Sequence, residues 1–342
     1  MTIFVVLLLL LGLFIKQVGA IIVNKTEVHN ILGQKRNIVA FYNLFAEGPY
    51  FDKIVKDQIR TIQNSGLLER LDQIFYVTIG KAGATYDIPG NKFTHLVHRD
   101  GSDEVITLHL LYEFCQSNPT SKVLYFHDKG SFHPTKHNNA RFCATLNCFV
   151  LNPNCIEALD THDTCGWRIS PFPRIHYSGN FWWARCQYVN TLMDPMDRMT
   201  NKTFIAASKP YSGCLTIDRY FNEAWIGTGP TIYPADCMNS SIDTSYVFGY
   251  DVPPAVDAYC HGPDSPQRSG LPCQTASTFV NVTAFKNMKN LLTEFHYPAC
   301  KDNHKVVVSI TKMSELWYGQ PPTTYLDWMH RLYGDDFNRT LG

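Results

Sequence analysis

The sequence predicts an α/β fold in which a mostly parallel sheet is flanked by helices, and two observations carry this prediction. Short apolar runs alternate with longer segments of helical periodicity through the first half of the 342-residue chain. Hydrophobic residues make up 45% of the chain and charged residues only 18%, a balance typical of a packed globular protein. We therefore expect one large domain, with or without an extension.

The predicted elements follow one another in the order that a parallel sheet requires. The predicted strands are the β-rich runs 37–42, 74–79, 93–97 and 122–126. A first helix is predicted over 51–71, where Gly66 marks a break, and a second over 103–115, with Ser102 as its N-cap. Ligands of such sheets bind beyond the carboxyl ends of the strands, so the residues after the fourth strand are the first candidates for a site.

The turn after the fourth strand is polar and reads His127-Asp128-Lys129-Gly130-Ser131. Its side chains can bind anions or metals, or transfer protons. The other interpretation is an ordinary polar turn closed by Gly130.

A second candidate region is the segment 176–188, HYSGNFWWARCQY, which concentrates aromatic surface beside polar turn residues. Aromatic faces next to polar groups suit a sugar ring, and core packing is the alternative. We predict a helix from about Asn180 to Leu192, capped by Ser178. Adjacent helical residues point about 100° apart, so only one of the two tryptophans can face a pocket. We assign Trp182 to the sugar and Trp183 to the core.

The amino terminus predicts entry into the secretory pathway. An apolar run over 3–15, followed by Val18-Gly19-Ala20, indicates either a cleaved signal peptide over 1–20 or an uncleaved anchor, and we favour cleavage. Eleven cysteines agree with an oxidising compartment, and their odd number leaves at least one free or paired with another chain. Five N-glycosylation sequons occur, at Asn24, Asn201, Asn239, Asn281 and Asn338.

These features predict a glycoprotein of the ER or Golgi lumen, or a secreted one. If the anchor persists, it is a single-pass type II membrane protein, which touches the membrane only through that anchor. Thirty basic and thirty acidic side chains cancel, which argues against a nucleic-acid partner.

The composition changes after residue 250. Proline- and glycine-rich turns surround Cys260 and Cys273 there. We predict a main domain over 35–250 and a disulfide-stapled, cysteine-containing C-terminal extension over 251–342.

From the first strand to about Asp236, the chain resembles nucleotide-sugar-dependent glycosyltransferases with the GT-A fold. Four segments carry the resemblance in the expected order: IVAFYNLF, VLYFHDKGS, HYSGNFWWARCQY, and Arg219-Tyr220 with Glu223-x-Trp225-Ile226-Gly227. The second is similar to the YxHxKG turn of that family, and the third is the most specific. The resemblance implies a Rossmann-type, GT-A-like sheet with a nucleotide site in the first half and an acceptor site in the second.

The resemblance also implies which residues bind each substrate. Binding of the donor diphosphate is expected at the turn residues His127, Asp128, Lys129 and Gly130. Contacts to the sugar and the acceptor are expected at Tyr177, Ser178, Gly179, Asn180, Trp182 and Trp225.

The charge of the leaving diphosphate must be neutralised. Many GT-A enzymes use Mn²⁺ or Mg²⁺ held by an Asp-X-Asp, and this chain lacks that motif at the equivalent place. Either His127 and Asp128 hold the metal, or Lys129 replaces it as a fixed cation, and we favour the metal.

An inverting transferase also needs a base that deprotonates the acceptor hydroxyl. Glu223 is the first choice because it lies between Arg219 and Trp225 in a matched segment; a surface glutamate paired with Arg219 is the alternative. His176 is the second choice, with Asp163 behind it.

The sequence thus predicts a hexosyltransferase-like glycosyltransferase that moves a sugar from a nucleotide-diphosphate donor to a glycan or glycoprotein. The alternative, motivated by the missing Asp-X-Asp, is a secreted glycan-binding protein on the same scaffold that has lost catalysis. A glycoside hydrolase is less favoured because no acid pair stands out at the strand ends.

Overall fold

The computed structural model describes residues 25–81, 86–101, 104–131, 137–167, 169–170, 176–177, 179–199, 222–230, 232–237 and 274–275. The strands are β1 (Ile38–Phe45), β2 (Gln73–Ile79), β3 (Phe93–Arg99), β4 (Lys122–His127), β5 (Thr164–Gly166), β6 (Ile169–Ser170), β7 (His176–Tyr177), β8 (Trp182–Arg185), β9 (Pro234–Asp236) and β10 (Gln274–Thr275). The helices are α1 (Lys25–Leu32), α2 (Phe51–Asn64), α3 (Leu67–Arg70), α4 (Val105–Ser117), α5 (His137–Val150), α6 (Asn154–Ala158) and α7 (Cys186–Val189). Two 3-10 turns cover Pro195–Met199 and Trp225–Gly227.

Eight strands form one sheet in the order β10-β9-β5-β8-β4-β1-β2-β3. Strands β4, β1, β2 and β3 run parallel to one another, and β5 is parallel to β9. Strand β8 is antiparallel to both β4 and β5. The described residues therefore confirm a mostly parallel α/β sheet with flanking helices.

The strand order reverses between β1 and β4. The chain runs from β1 outward through β2 and β3, and then returns to place β4 on the other side of β1. In open α/β sheets, such a reversal separates the connections above the carboxyl ends of two neighbouring strands and opens a crevice there. We call the carboxyl ends of β1 and β4 the switch point.

Both faces of the sheet are buried, as expected of parallel strands. On one face Phe41 and Phe75 pack against Phe114 of α4. On the other, Tyr42 stacks on Phe126 with ring centroids 4.1 Å apart. All five rings are fully buried. The core thus holds β1 and β4 rigidly beneath the switch point.

The four predicted strands and both predicted helices are present, with shifted ends. Gly66 breaks the first helix as predicted, since it adopts a φ of 75° between α2 and α3. Helix α4 begins later than expected, with Glu104 at its N-cap, and Ser102 lies outside the described residues.

The helix predicted from Asn180 to Leu192 is wrong. Residues 182–185 form β8, which pairs with β4, and only Cys186–Val189 is helical. Successive side chains of a strand point to opposite faces, so Trp182 and Trp183 lie in different core layers. Pairing with a strand that is distant in sequence overrides the local helical pattern.

One disulfide joins two helices, and another joins a helix to the sheet. Cys115 of α4 bonds to Cys186 of α7, and Cys155 of α6 bonds to Cys165 of β5. Further disulfide-bonded cysteines are Cys148 and Cys237. The predicted presence of disulfides is confirmed, while Cys260 and Cys273 lie outside the described residues.

The two ends of the chain are described only in part. Residues 1–20, predicted as signal or anchor, lie outside the described residues, as does most of 251–342. The short strand β10 comes from the predicted extension and adds an edge to the main sheet beside β9. Among the described helices, none has the length and apolar character needed to cross a membrane.

Candidate functional site

The turn after β4 and the segment 179–181 meet at the switch point. His127 is half-buried, and its Nε2 lies 2.9 Å from the carbonyl oxygen of Gly179, 52 residues away. A carbonyl oxygen only accepts, so the proton of the imidazole resides on Nε2. The ring also packs edge-on against Phe181, with centroids 5.2 Å apart. Two stretches distant in sequence therefore build one site.

Gly179 is required for this contact. It adopts a φ of 81°, and a Cβ at this position would lie 2.6 Å from Cδ1 of Leu146 and 3.2 Å from Phe142. Only glycine combines a left-handed backbone with so close a neighbour. The glycine thus aims its carbonyl at His127.

Glu104 brings a carboxylate to the same place. Its Oε2 accepts a hydrogen bond from the Tyr125 hydroxyl at 2.6 Å and another from Nδ2 of Asn180 at 2.9 Å. Oδ1 of Asn180 accepts the indole N–H of Trp182 at 2.9 Å. Tyr125, Asn180 and Trp182 are fully buried, so the network fixes the orientation of the carboxylate. We call these four residues the Glu104 network.

Sequence reasoning missed Glu104, because it placed this residue inside a helix that starts at 103. One signal could have found it. The helix that leads into β4 must run back along the sheet, so its first residues lie at the edge where the parallel strands end. An acidic residue at that helix start is therefore a neighbour of the turn after β4.

The charges around His127 set its protonation state. Burial lowers the pKa of its imidazole, and the positive charge of Lys129 acts in the same direction. The carboxylates of Glu104 and Glu223 partly oppose this change. His127 is therefore neutral at neutral pH and, with its proton on Nε2, has a lone pair on Nδ1.

Asp128 faces a different part of the structure. It is 2% exposed, and its Oδ1 accepts the backbone N–H of Phe45 at 2.9 Å, at the end of β1. Its Oδ2 is buried and has no hydrogen-bond partner among the described residues. Burial raises the pKa of this carboxyl to about 7, although hydrogen bonds from Phe45 and Ser131 oppose the change.

His127 and Asp128, the predicted metal ligands, each use one side-chain atom in a hydrogen bond to the protein. The Nε2 of His127 bonds to Gly179, whereas Oδ1 of Asp128 bonds to Phe45. Within the described ranges, the one group of three ligand side chains close enough to share an ion consists of Cys155, Cys165 and Cys237. These cysteines are disulfide-bonded. The hydrogen bonds of His127 and Asp128 do not use Nδ1 of His127 or Oδ2 of Asp128, so a metal held by this pair stays a prediction.

The other two residues of the turn, Lys129 and Gly130, have partly buried positions whose role in diphosphate binding stays a prediction. Gly130 adopts a φ of 91°, which favours glycine, and closes the turn. Lys129 is half-buried, with its amino group 5.9 Å from the centroid of the Phe142 ring. Because its charge acts on His127, Lys129 supplies a cation at the switch point.

The role of Glu223 as the base stays a prediction. It is half-buried within the helical turn 222–224, and its charge acts on His127. Arg219, the partner in the alternative interpretation of Glu223, lies outside the described residues.

The two tryptophans predicted to contact the sugar or the acceptor are part of the core instead. Trp182 is fully buried and stacks on Tyr125, with ring centroids 5.3 Å apart. Trp225 is also fully buried, and its Nε1 donates to the carbonyl oxygen of Met193 at 2.8 Å. Neither ring presents a face to a ligand, and Trp182 reaches the site only through its indole N–H.

Asp163, which the sequence suggested as a base, lies far from the switch point. It forms an ion pair with Arg185 and accepts the backbone N–H of Tyr233 at 2.9 Å. Arg185 pairs in register with Lys122, at the opposite end of β4 from His127. The two ends of that strand are roughly 16 Å apart at 3.2–3.4 Å per residue, so Asp163 cannot act at the switch point.

The remaining predicted residues lie on or beside β7, which pairs with β6. Tyr177 is fully buried, and its hydroxyl donates to the carbonyl oxygen of Ala235 at 3.0 Å, which is a core role and not a substrate contact. His176 is half-buried, and its role as a base stays a prediction. Ser178 lies outside the described residues.

With this geometry established, comparison with known proteins defines the family. The chain belongs to the family described as Domain of unknown function (DUF8361), which matches residues 41–324. The matched range contains the switch point and continues past the domain boundary predicted at residue 250.

No curated protein matches the chain. Among solved structures, the crystal structure of Rv0371c from Mycobacterium tuberculosis H37Rv is similar over 46% of this chain and 78% of that chain. The sequence identity is 10% and the TM-score is 0.25, a similarity too low to bear on function.

Proposed function

We propose that this protein is a GT-A-like glycosyltransferase that moves a sugar from a nucleotide-diphosphate donor to a glycan or glycoprotein in the secretory pathway. One observation carries the proposal. The two most informative segments of the resemblance, the turn after β4 and the segment 179–181, meet through the hydrogen bond between His127 and Gly179. They do so at a switch point, where doubly wound sheets bind nucleotides.

The donor diphosphate needs positive charge as it leaves. Lys129 lies on the turn and its charge acts on His127, so we assign the neutralisation of the leaving group to this lysine. Binding of Mn²⁺ or Mg²⁺ by His127 and Asp128 stays the alternative source of this positive charge.

The acceptor hydroxyl needs a group that removes its proton. Three proton acceptors are candidates, the neutral imidazole of His127 and the carboxylates of Glu104 and Glu223, whose charges both act on that imidazole. Such a set of acceptors suits the polar edge of a sugar, whose hydroxyls donate hydrogen bonds.

Thermal unfolding of the full chain tests the proposal. We expect UDP or GDP, in buffer with EDTA and in buffer with Mn²⁺, to raise the melting temperature, because a ligand that binds only the folded state stabilises it. Lys129→Met should remove most of the shift. Lys35→Met is the matched control, since Lys35 is exposed and precedes β1 at the opposite edge of the sheet.

The proposal fails if neither nucleotide, nor any sugar donor in a panel of UDP- and GDP-sugars, changes the melting temperature of the wild type. Glycan binding without nucleotide affinity would then support the alternative, a secreted glycan-binding protein.

A further inference from the structure

We infer that Glu104 is the general base of this site and that Trp182 positions it through Asn180. The inference rests on the proposed transferase function and deepens it, because it replaces Glu223 as the first choice for the base. It is based on the position of the Glu104 carboxylate, which hydrogen bonds hold in one orientation at the switch point.

The hydrogen bonds of Glu104 leave one of its oxygens available. Both donors, the Tyr125 hydroxyl and the Asn180 amide, bind Oε2, and no partner of Oε1 is found in the described part of the chain. A general base needs this arrangement, in which one oxygen holds the carboxylate in place and the other meets the substrate. No hydrogen bond orients the carboxylate of Glu223 among the described residues.

Helix capping does not explain the position of Glu104. It is the N-cap residue of α4, but its side chain makes no hydrogen bond to the first turn of that helix. Glutamate is also absent from the residues that N-caps prefer. The carboxylate instead turns toward β4 and the segment that precedes β8, where the switch point lies.

Asparagine at 180 is well suited to link the indole to the carboxylate. Its amide donates to Glu104 on one side and accepts from Trp182 on the other, and both contacts are 2.9 Å. Aspartate could not donate to a carboxylate, and an apolar residue could do neither. Asn180 also adopts a φ of 58°, a left-handed conformation that asparagine tolerates better than most residues.

The step balances as follows. The acceptor hydroxyl oxygen forms a bond to the anomeric carbon while Oε1 of Glu104 takes its proton. The bond between the anomeric carbon and the diphosphate oxygen breaks, and its electron pair leaves with the nucleoside diphosphate beside Lys129. The proton then passes from Glu104 to solvent, and the anomeric configuration inverts.

Glu104→Gln tests the base directly, because glutamine keeps an oxygen that can accept both hydrogen bonds but cannot take the proton. We measure release of UDP or GDP from UDP-glucose, UDP-galactose, UDP-N-acetylglucosamine and GDP-mannose. The expected result is a fall in kcat of about 10²- to 10⁴-fold with little change in KM. Glu113→Gln, on the same helix and partly exposed, is the matched control and should retain the wild-type kcat.

Trp182→Phe tests the positioning role. It removes the N–H that holds Asn180, and we expect kcat to fall on the order of tenfold at unchanged KM. In a Glu104→Gln background the same change should have no further effect, because the network then orients no base. Trp183→Phe is the matched control, since its Nε1 donates to Val150 on the opposite face at the same 2.9 Å.

Each outcome separates the two proposals. Wild-type turnover by Glu104→Gln, with the nucleotide-induced rise in melting temperature intact, overturns the role of Glu104 and leaves the transferase standing. Equal losses of kcat from Trp182→Phe and Trp183→Phe overturn the positioning role of Trp182. This comparison can be made even if Glu104→Gln does not fold. A wild type that neither binds nor turns over any donor overturns the transferase function and this inference with it.

Discussion

His127 donates its Nε2 proton to the carbonyl oxygen of Gly179 across 2.9 Å, and this bond joins the end of β4 to the turn before β8. It fixes the tautomer of the imidazole, so that Nδ1 carries the lone pair. The bond depends on a glycine conformation that no other residue adopts at low cost. The site is therefore built from backbone geometry as much as from side-chain chemistry.

Gly179→Ala is expected to destabilise the protein by about 2–4 kcal/mol, because the new methyl group meets Leu146 and the φ of 81° becomes strained. Gly101→Ala separates the two effects, since Gly101 has a φ of 117° but no atom within 4 Å of the added Cβ. We expect the control to lose only about 1 kcal/mol in urea unfolding. Equal losses would show that close packing at Gly179 is unimportant.

The pKa of His127 should lie below the usual value of about 6.5, because burial disfavours the charged imidazole. Glu104→Gln removes a negative charge that favours the imidazolium, and should lower this pKa further. Lys129→Met removes an opposing positive charge and should raise it. NMR titration of the ring protons measures all three values, and shifts in the same direction for both variants would contradict the arrangement.

Asp128 makes stability depend on pH. Its pKa is raised to about 7 in the folded state from 3.8, so the folded protein holds a proton that the unfolded chain releases. Its contribution is therefore most favourable at low pH, falls as the pH rises from about 4 to 7, and then levels off. The whole difference is at most about 4 kcal/mol.

Asp128→Asn keeps an oxygen for the Phe45 N–H and cannot ionise, so it should remove this component. The measurement is the free energy of unfolding of the variant minus that of the wild type at pH 4, 6 and 8. A difference that stays constant across this range would show that Asp128 titrates normally in the folded protein.

Asp163→Asn should affect stability and leave turnover unchanged. The substitution breaks the ion pair with Arg185 but keeps an oxygen that can accept the Tyr233 N–H. Both partners are partly exposed, so we expect a loss of about 1–2 kcal/mol in thermal or urea unfolding. A large fall in donor hydrolysis, with stability intact, would restore Asp163 as a candidate base.

Local signals in the chain are enough for the parallel half of the sheet. The apolar runs that become β1, β2 and β4 are buried on both faces, whereas β3 at the end of the sheet is mostly half-buried. These runs differ from the helical periodicity of the segments between them. The polar turn at 127–130 follows from the same reading, since residues after a parallel strand lie at the ligand-binding edge. Gly66 and Gly130 sit in left-handed turns for the same local reason, the absence of a Cβ.

Contacts between distant segments account for the wrong helix prediction at 180–192 and for the missed Glu104. The local sequence predicts that Trp182 and Trp183 lie in a helix. They form a strand instead, because they pair with β4 in antiparallel orientation. Glu104 gains its importance only when Tyr125 and Asn180 converge on its carboxylate. These contacts join residues up to 76 positions apart, and no periodicity within a short window encodes them. Composition and hydrophobic periodicity therefore determine that the sheet is mostly parallel. Which side chains meet at the carboxyl ends of its strands is decided by contacts between segments that are distant in sequence.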